Sequence, residues 1–337
     1  MPKAGKNWKG PNIAQIAALA GVGPASVDRV LNNRPGVKET TRNRVMAALD
    51  KLAADHRMQD LRQIGFFCIS GPSFNGQMIQ AMQMVNASIA GVELTGQFFT
   101  TEEIEPGRFA AALEQAGREL DAVIVIAYEH PAINGALRKI AALGKPTVCL
   151  TSDLPSSRRT VYVGNDQYAA GSVAAQLIGQ ILPPVPQHIL LVMSVPFRCQ
   201  QEREMGFRRV LRQDYPHLSI QERVISNDNV ERTEELLASH LASARPPGAI
   251  YNVAGANRGV GAALEYAGLS GKTVFIGHEL TPFTRVLLEA GTMDYVISHD
   301  SAAELVQAVR AIDERLRGIE SQPAPSSILI HTRYNCN

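Results

Sequence analysis

Eight runs of β-branched and apolar residues recur along the chain after residue 63, and amphipathic, helix-like segments separate them. The runs are IGFFCIS, VELTGQFF, AVIVIAY, PTVCLTS, HILLVMS, GAIYNVAG, TVFIGHE and DYVIS. Near-continuous apolar strands that alternate with helices are typical of parallel sheets covered on both faces. The run of strands is too long for a single sheet, so this pattern predicts an α/β body with more than one parallel sheet.

Charge is distributed unevenly along the chain. Residues 1–62 contain 11 Lys or Arg and 5 Asp or Glu, a net charge of +6, whereas the remainder has a net charge of −5. A basic head on an acidic body is expected when only the head meets a polyanion. No apolar run approaches the length of a membrane span, and no signal-peptide pattern follows the basic N-terminus, so we expect a cytoplasmic protein with no membrane partner.

The cysteines are scattered, without the spacing of metal ligands, so we expect buried thiols and neither a metal nor a cofactor.

Three short helical patterns occupy the start of the chain. Asn12 can cap the first helix in a capping box with Gln15, and Gly21 ends it. The second helix begins at Pro24, and the third runs from about Lys38 to Ala53. Two short helices joined by a tight turn and supported by a third form a helix-turn-helix, whose second helix enters the major groove of DNA.

The same segment, IAQIAALAGVGPASVDRVLNNRPGVKETTRNRVMAALDKL, resembles without a gap the headpiece of the lactose-repressor (LacI/GalR) family of transcription regulators. The motif A-x-x-A-G-V, then V-x-R-V-L-N and T-R-x-x-V, carries the resemblance. It implies a repressor that binds double-stranded DNA at an inverted-repeat operator as a homodimer. By position, the resemblance assigns base contacts to Pro24, Ala25 and Arg29. It assigns contacts with the sugar-phosphate backbone to Asn12, Gly23, Asn32, Lys38 and Thr41.

The side chains of these residues differ in how well they can distinguish one base from another. Arg29 can donate a bidentate pair of hydrogen bonds to guanine, worth about 1–3 kcal/mol of discrimination, so we expect base reading to depend mainly on it. Asp28 stands where the family often has a small hydroxyl residue. It could gain from the helix dipole, or orient Arg29 or a lysine, and the sequence does not choose between these roles.

The body resembles the effector domain of the same family, which has the type I periplasmic-binding-protein fold of two doubly wound parallel-sheet lobes around a cleft. The motifs VGNDQYAAGSVAAQLI, QQEREMGFRRVL, NVAGANRGVGAALEYAG, VFIGHELT and DYVISHDSAAELVQ carry this resemblance. The expected domains are a headpiece (1–53), a short linker (54–63) that lacks the family's Y-x-P-N and hinge pattern, and an effector-binding and dimerisation domain (64–337). Its first lobe spans about 64–163 and 299–318, and its second about 164–298 and 325–337.

Candidate effector-binding residues are those that directly follow the strand runs, because ligands in open α/β sheets bind at the carboxyl ends of strands. These residues are Ser73, Phe74, Asn75, Glu129, Asp153, Asp166, Arg203, Asn257, Glu279 and His299. By motif position, the resemblance assigns Arg203 to the family's effector-binding arginine and Glu279 to an acidic residue that binds sugar hydroxyls. Carboxylates around a guanidinium suit a small polyhydroxylated effector, a sugar or polyol, on which Phe74 or Phe197 could stack.

Two other classes of protein are alternatives to a DNA-binding regulator. An enzyme is disfavoured because the chain has no Walker loop, G-x-S-x-G or H-E-x-x-H, and GVGPAS follows a helix rather than a strand. A cytoplasmic solute-binding or sensor protein would fit the body alone, with a headpiece that does not read DNA. No leucine heptads end the chain, so we expect a dimer rather than a tetramer.

Overall fold

The computed structural model describes residues 12–59, 61–243, 245–320 and 322–336. Residues 1–11 of the predicted headpiece lie outside the described residues, as does residue 60 of the predicted linker. Contacts within the chain define two compact units, one with the three N-terminal helices and one with nearly all of the remaining elements. We call the first unit the headpiece and the second the body, and describe each by itself.

The headpiece contains helices α1 (Ile13–Ala20), α2 (Pro24–Leu31) and α3 (Glu39–Gln59). The capping box of Asn12 and Gln15 is present, and Gly21 ends α1 in the left-handed conformation at φ 61°, so both predictions are confirmed. Ile16, Val27 and Val45 form the centre of a small core. These three short helices are therefore stabilised by packing against one another.

Helix α3 ends at Gln59, six residues beyond the predicted end at Ala53. The predicted helix end is wrong because the sequence AADHRMQ contains neither Gly nor Pro and nothing in it stops a helix. The assignment of residues 54–63 as a linker between domains stays a prediction. Strand β1 then begins at Arg62.

The first lobe of the body is built on a five-stranded sheet in the order β2-β1-β3-β4-β5. Its strands are β1 (Arg62–Ser70), β2 (Val92–Thr100), β3 (Ala122–Ile126), β4 (Thr147–Leu150) and β5 (Val161–Val163). Its helices are α4 (Pro72–Ser88), α5 (Pro106–Glu119) and α6 (Pro131–Ala142), with a short 3-10 helix at Pro155–Ser157. Strands β1, β3, β4 and β5 pair in parallel, and both faces of β3 are buried.

The second lobe is built on a six-stranded sheet in the order β11-β10-β9-β8-β6-β7, in which only the pairing of β11 with β10 is antiparallel. Its strands are β6 (Gln187–Met193), β7 (Leu218–Ile225), β8 (Ala249–Asn252), β9 (Val274–His278), β10 (Tyr295–Ser298) and β11 (Leu329–His331). Its helices are α7 (Gln167–Ile181), α8 (Arg198–Asp214), α9 (Val230–Ser243), α10 (Asn257–Tyr266) and α11 (Pro282–Ala290). Helix α12 (Ser301–Leu316) packs against α4, β4 and β5, and so belongs to the first lobe.

The predicted fold class, a helical headpiece followed by two doubly wound parallel-sheet lobes, is confirmed. Strands β5, β7 and β11 were not among the eight predicted runs. Strand β7 was missed because its sequence, LSIQERVI, is interrupted by polar residues and has no near-continuous apolar run, as suits an edge strand rather than a fully buried one.

Three segments of the described chain connect the lobes: residues 164–166, residues 299–300 and the stretch around Ser326. The backbone N–H of Ser326 donates to the carbonyl of Gly164 at 3.1 Å, and Ser326 forms a parallel bridge with Asn165. The first and third connections therefore lie side by side.

All four cysteines are free and buried, as predicted. Among the described residues, no helix combines the length and the apolar character that crossing a membrane requires.

Candidate functional site

Two adjoining cavities lie between the lobes of the body. The inner cavity has a volume of about 100 Å³ and the outer cavity about 350 Å³. Both are lined from the first lobe by the first turn of α4, which follows β1, and from the second lobe by the segments after β7, β8 and β9. They therefore occupy the carboxyl ends of the parallel strands, where ligands of open α/β folds bind.

Arg203 is the central cation of the inner cavity. Its side chain is 5% exposed and donates three hydrogen bonds: from Nε to Gln167 Oε1 at 2.7 Å, from Nη1 to the Val253 carbonyl at 3.0 Å, and from Nη2 to Glu279 Oε1 at 3.2 Å. A guanidinium carries five N–H donors, so two remain beyond these three bonds. The side chain is held in one orientation and still has donors for a ligand.

The close approach of α7 and α8 fixes the position of the Arg203 backbone. A Cβ on Gly171 would lie 1.8 Å from the carbonyl oxygen of Arg203, and a Cβ on Gly206 would lie 2.0 Å from the carbonyl oxygen of Tyr168. Only glycine allows two helix backbones to approach this closely. These two glycines thus set the distance between α7 and α8, the helix that carries Arg203.

Glu279 follows β9 with a backbone φ of 68°, a conformation that costs a non-glycine residue about 1–3 kcal/mol. Its Oε1 accepts from Arg203, and its Oε2 lies 3.4 Å from His299 Nε2. Burial alone would raise the pKa of this carboxyl, but His299 and Arg203 outweigh burial and lower the pKa. Glu279 is therefore an ionised acceptor at the cavity wall.

Asp228 lines both cavities, and sequence reasoning missed it. Its Oδ2 accepts from Ser194 Oγ at 2.7 Å, and its Oδ1 accepts from the Gly255 backbone N–H at 2.8 Å. Burial raises the pKa of this carboxyl, although the two hydrogen bonds oppose the shift. The residue lies in the turn after β7, so recognising that strand in the sequence would have identified it.

Hydrogen bonds join the two lobes at the mouth of the cleft. Thr101 Oγ1 donates to the carbonyl of Asn227 at 2.6 Å, and Asn229 Nδ2 donates to Glu102 Oε2 at 2.9 Å. At another point, the side-chain amide of Gln77 donates to the carbonyl of Leu280. The lobes are therefore closed on each other around the cavities.

Five of the ten predicted effector residues line the cavities: Ser73, Phe74, Arg203, Asn257 and Glu279. Four of these five line the inner cavity, together with Phe197: Ser73, Phe74, Arg203 and Glu279. Asn257 lines the outer cavity, but its Nδ2 donates to the carbonyl of His278 at 2.9 Å and its Oδ1 accepts from Asn252 at 2.8 Å. Its amide therefore organises the loop after β8.

The other five predicted residues line neither of these two cavities, and their contact with an effector stays a prediction: Asn75, Glu129, Asp153, Asp166 and His299. Each is engaged by nearby structure instead. Their partners are the Phe99 carbonyl for Asn75, Asn134 for Glu129, Arg159 for Asp153, the Ala169 N–H for Asp166, and Glu279 with Glu304 for His299. A position after a strand serves helix capping and local pairing as readily as ligand binding.

In the headpiece, the predicted base-contacting residues Pro24, Ala25 and Arg29 are exposed on α2. The predicted backbone-contacting residues are exposed or, for Thr41, half-buried: Asn12, Gly23, Asn32, Lys38 and Thr41. Contact of these residues with DNA stays a prediction.

Within the described part of the chain, Asp28 pairs with neither Arg29 nor a lysine. Its Oδ2 accepts from Arg34 Nη1 at 3.1 Å, and its Oδ1 accepts from Asn32 Nδ2 at 2.8 Å. Asp28 therefore ties the end of α2 to the turn that follows it.

Two family models match the chain. The lacI family of bacterial regulatory proteins matches residues 12–53, and the periplasmic binding protein domain matches residues 65–320. The HTH-type transcriptional regulator MalR of Streptomyces coelicolor is 41% identical over 90 residues, which are 26% of this chain and 25% of that relative. The probable HTH-type transcriptional repressor ExuR of Bacillus subtilis is 23% identical over 257 residues, which are 71% of this chain and 72% of that relative.

Solved structures of solute-binding proteins share the fold of the body. A glucose-galactose binding protein from Geobacillus stearothermophilus superposes with a TM-score of 0.73 at 19% identity, over 82% of this chain and 98% of that one. An ABC transporter periplasmic solute binding protein from Actinobacillus succinogenes with bound D-allose gives a TM-score of 0.72 at 17% identity, over 82% and 99%. The chain belongs to the periplasmic binding protein domain family through its body, and it carries an N-terminal domain that matches the lacI family of bacterial regulatory proteins.

Proposed function

We propose that this protein is a transcriptional repressor that acts as a homodimer. Its headpieces bind an inverted-repeat operator, and an uncharged sugar or polyol bound in the inner cavity controls operator affinity. The observation that carries the proposal is the pairing of Arg203 with Glu279 at the wall of a cavity between the lobes, in a chain that also carries a helix-turn-helix.

The charges around the inner cavity favour an uncharged ligand. Arg203 and Glu279 neutralise each other, and Asp228 adds a further buried carboxyl to the lining. An anionic ligand would place its charge beside two carboxyl groups, at a high cost in a buried site. A hydroxyl group can accept from the guanidinium and donate to a carboxylate at once.

The apolar lining supports a sugar ring over a more polar ligand. Phe74, Phe197 and Val253 line the inner cavity together with the charged residues. A pyranose or cyclitol offers both an apolar face for such side chains and hydroxyls for the charged ones. The solute-binding protein of Actinobacillus succinogenes, which shares this fold, holds D-allose.

The DNA-binding half of the proposal rests on the headpiece. The residues up to 62 carry a net charge of +6, and Arg29 is exposed on the second helix of the helix-turn-helix. A ligand that favours one arrangement of the lobes shifts operator affinity by its differential binding to the two states. A coupling of about 1–3 kcal/mol gives a usable switch.

Titration calorimetry on the full-length protein tests the ligand class. The probes are D-glucose, D-galactose, D-allose, D-ribose and myo-inositol, with D-glucuronate as the anionic counterpart. We expect at least one uncharged probe to bind and D-glucuronate not to bind. Arg203→Lys should weaken that binding by about tenfold or more, because an ammonium cannot donate to three fixed acceptors as the guanidinium does.

Arg208→Lys is the matched control, since Arg208 lies on the same helix, pairs with Glu204 and lines neither cavity. It should leave the affinity unchanged. Preferred binding of D-glucuronate, or equal affinities for Arg203→Lys and wild type, would contradict the proposed ligand class.

A solute-binding or sensor protein with a headpiece that does not read DNA is the second candidate. It is favoured by the similarity of the body to solute-binding proteins over nearly their full length. Sugar binding without any sequence-specific DNA binding would support it.

A further inference from the structure

Four charged side chains form a continuous buried chain behind the cavities, which we call the ion chain: Arg203, Glu279, His299 and Glu304. Arg203 Nη2 lies 3.2 Å from Glu279 Oε1, Glu279 Oε2 lies 3.4 Å from His299 Nε2, and His299 Nδ1 lies 2.8 Å from Glu304 Oε1. All four side chains are less than 15% exposed. Signs alternate along the chain, so its formal charge sums to zero when the histidine is protonated.

The ion chain begins in one lobe and ends in the other. Arg203 belongs to α8 and Glu279 to the end of β9, both in the second lobe. His299 lies in the connection between β10 and α12, and Glu304 lies in the first turn of α12. Since α12 packs against α4, β4 and β5, the last member belongs to the first lobe.

Glu304 also reaches the other two connections between the lobes. Ser326 Oγ donates to Glu304 Oε1, and the backbone of Ser326 pairs with Gly164 and Asn165. All three connections therefore meet at the far end of the ion chain, while its near end is the proposed ligand-binding pair.

His299 joins the part of the ion chain in the second lobe, Arg203 and Glu279, to Glu304 in the first lobe. It lines neither cavity, and each of its ring nitrogens lies near a carboxyl oxygen, an arrangement that favours a doubly protonated imidazolium. Burial opposes that charge, but Glu279 and Glu304 outweigh burial and raise the pKa of His299 to about 10. The raised pKa favours the cationic form of the ring at neutral pH.

We propose that His299 is a positioning residue that fixes the cleft carboxylate Glu279 relative to α12 and the three lobe connections. A ligand contact at Glu279 and a movement of the lobes are then parts of one rearrangement. The role as a coupling element rests on the proposed function of Glu279 in binding the ligand. The physical link itself, between Glu279 and the lobe connections, does not depend on it.

The charge pattern predicts a specific rescue. His299→Gln removes the cation between two buried carboxylates and leaves one guanidinium for both, so the ion chain acquires an excess negative charge. Adding Glu304→Gln removes that excess, and two amides can hydrogen-bond across the former ion pair. A residue with a purely space-filling role would not be rescued by removing a charge on its neighbour.

Amide hydrogen exchange on the ligand-free, full-length protein tests the link at two bonds. The Glu279 N–H donates to the Ile297 carbonyl, and the Ser326 N–H donates to the Gly164 carbonyl. His299→Gln should increase the exchange of both amides by roughly 10- to 100-fold, and the double variant with Glu304→Gln should return both to within about threefold of wild type.

The control is His278→Gln, which alters another buried histidine outside the ion chain. Glu304→Gln should not restore exchange in that background. Faster exchange at Glu279 without a change at Ser326, or no rescue by Glu304→Gln, would overturn the proposal.

A second measurement, on the wild-type protein, tests the proposal if the His299→Gln variant does not fold. Nitrogen-15 spectra of histidine-labelled wild-type protein are recorded at pH 8.5, about two units above the ordinary histidine pKa of about 6.5. At this pH one imidazolium signal, that of His299, should remain. Its absence would overturn the proposal. Neither experiment uses a sugar. If the protein binds no sugar but Glu304→Gln rescues His299→Gln, the proposed function is refuted and the proposed role of His299 is still supported.

Discussion

Gly171→Ala tests how the packing of α7 on α8 positions Arg203. The new Cβ would lie 1.8 Å from the carbonyl oxygen of Arg203 and 2.6 Å from its carbonyl carbon. Ordinary close C···O contacts are about 3.3 Å, so the two helices must separate by about 1.5 Å at this point. Such overpacking costs about 1–3 kcal/mol of unfolding free energy, against a gain of about 1 kcal/mol in helix propensity.

The same separation moves Arg203 away from fixed acceptors in the second lobe. Loss of one of its charged hydrogen bonds, worth about 1.5–3 kcal/mol, weakens sugar binding by about tenfold or more. Gly135→Ala is the control, because Gly135 also lies inside a helix and a Cβ there would meet no atom within 4 Å.

Chemical denaturation and calorimetry on both variants provide the readouts. We expect Gly135→Ala to be neutral or slightly stabilising with unchanged affinity, and Gly171→Ala to lose both stability and affinity. If Gly171→Ala matches the control in both measurements, the close helix contact does not position the arginine and the reasoning fails.

Three further predictions concern single side chains. Asn12→Ala removes the capping box of α1 and should lower headpiece stability by about 1 kcal/mol in thermal unfolding; an unchanged midpoint would contradict the role of the cap. Arg29→Ala should reduce discrimination at one guanine of each half-site by about 1–3 kcal/mol in binding competitions, whereas a uniform loss across all sequences would assign Arg29 to phosphate. Asp228→Asn should stabilise the protein most at high pH, because burial raises the pKa of this carboxyl and the ionised form is the costly one. As pH falls through that raised pKa, Asp228 of the wild type becomes protonated, and the difference in unfolding free energy between variant and wild type should shrink. Urea titrations at several pH values measure this difference, and an increase at low pH would contradict the reasoning.

The headpiece could be predicted from the sequence because its determinants are local. Asn12 and Gln15 are three residues apart, and Gly21 ends the helix that they begin, so spacing and residue type together define α1. The continuation of α3 to Gln59 was missed because the end of that helix has no stop signal, and helix length was judged from its apolar face.

The effector cleft was only partly predictable because its key contacts are remote in sequence. Asp166 and Glu279 are both acidic residues placed just after a strand, yet Asp166 caps α7 while Glu279 meets Arg203, 76 positions away. Local pattern does not separate these two uses of a carboxylate. Asp228 was missed for a different reason, since it follows an edge strand whose sequence, interrupted by polar residues, lacks the apolar run of a buried strand.

The most direct test of the central claim is a selection of genomic DNA fragments by the full-length protein near physiological salt, with and without a mixture of the uncharged sugars. At that salt concentration specific binding survives while non-specific binding is strongly weakened. We predict enrichment of an inverted repeat with guanine at one fixed position in each half-site, and a change in that enrichment when the sugars are present. Recovery of no common sequence in either condition would contradict the assignment of this protein as an effector-controlled repressor.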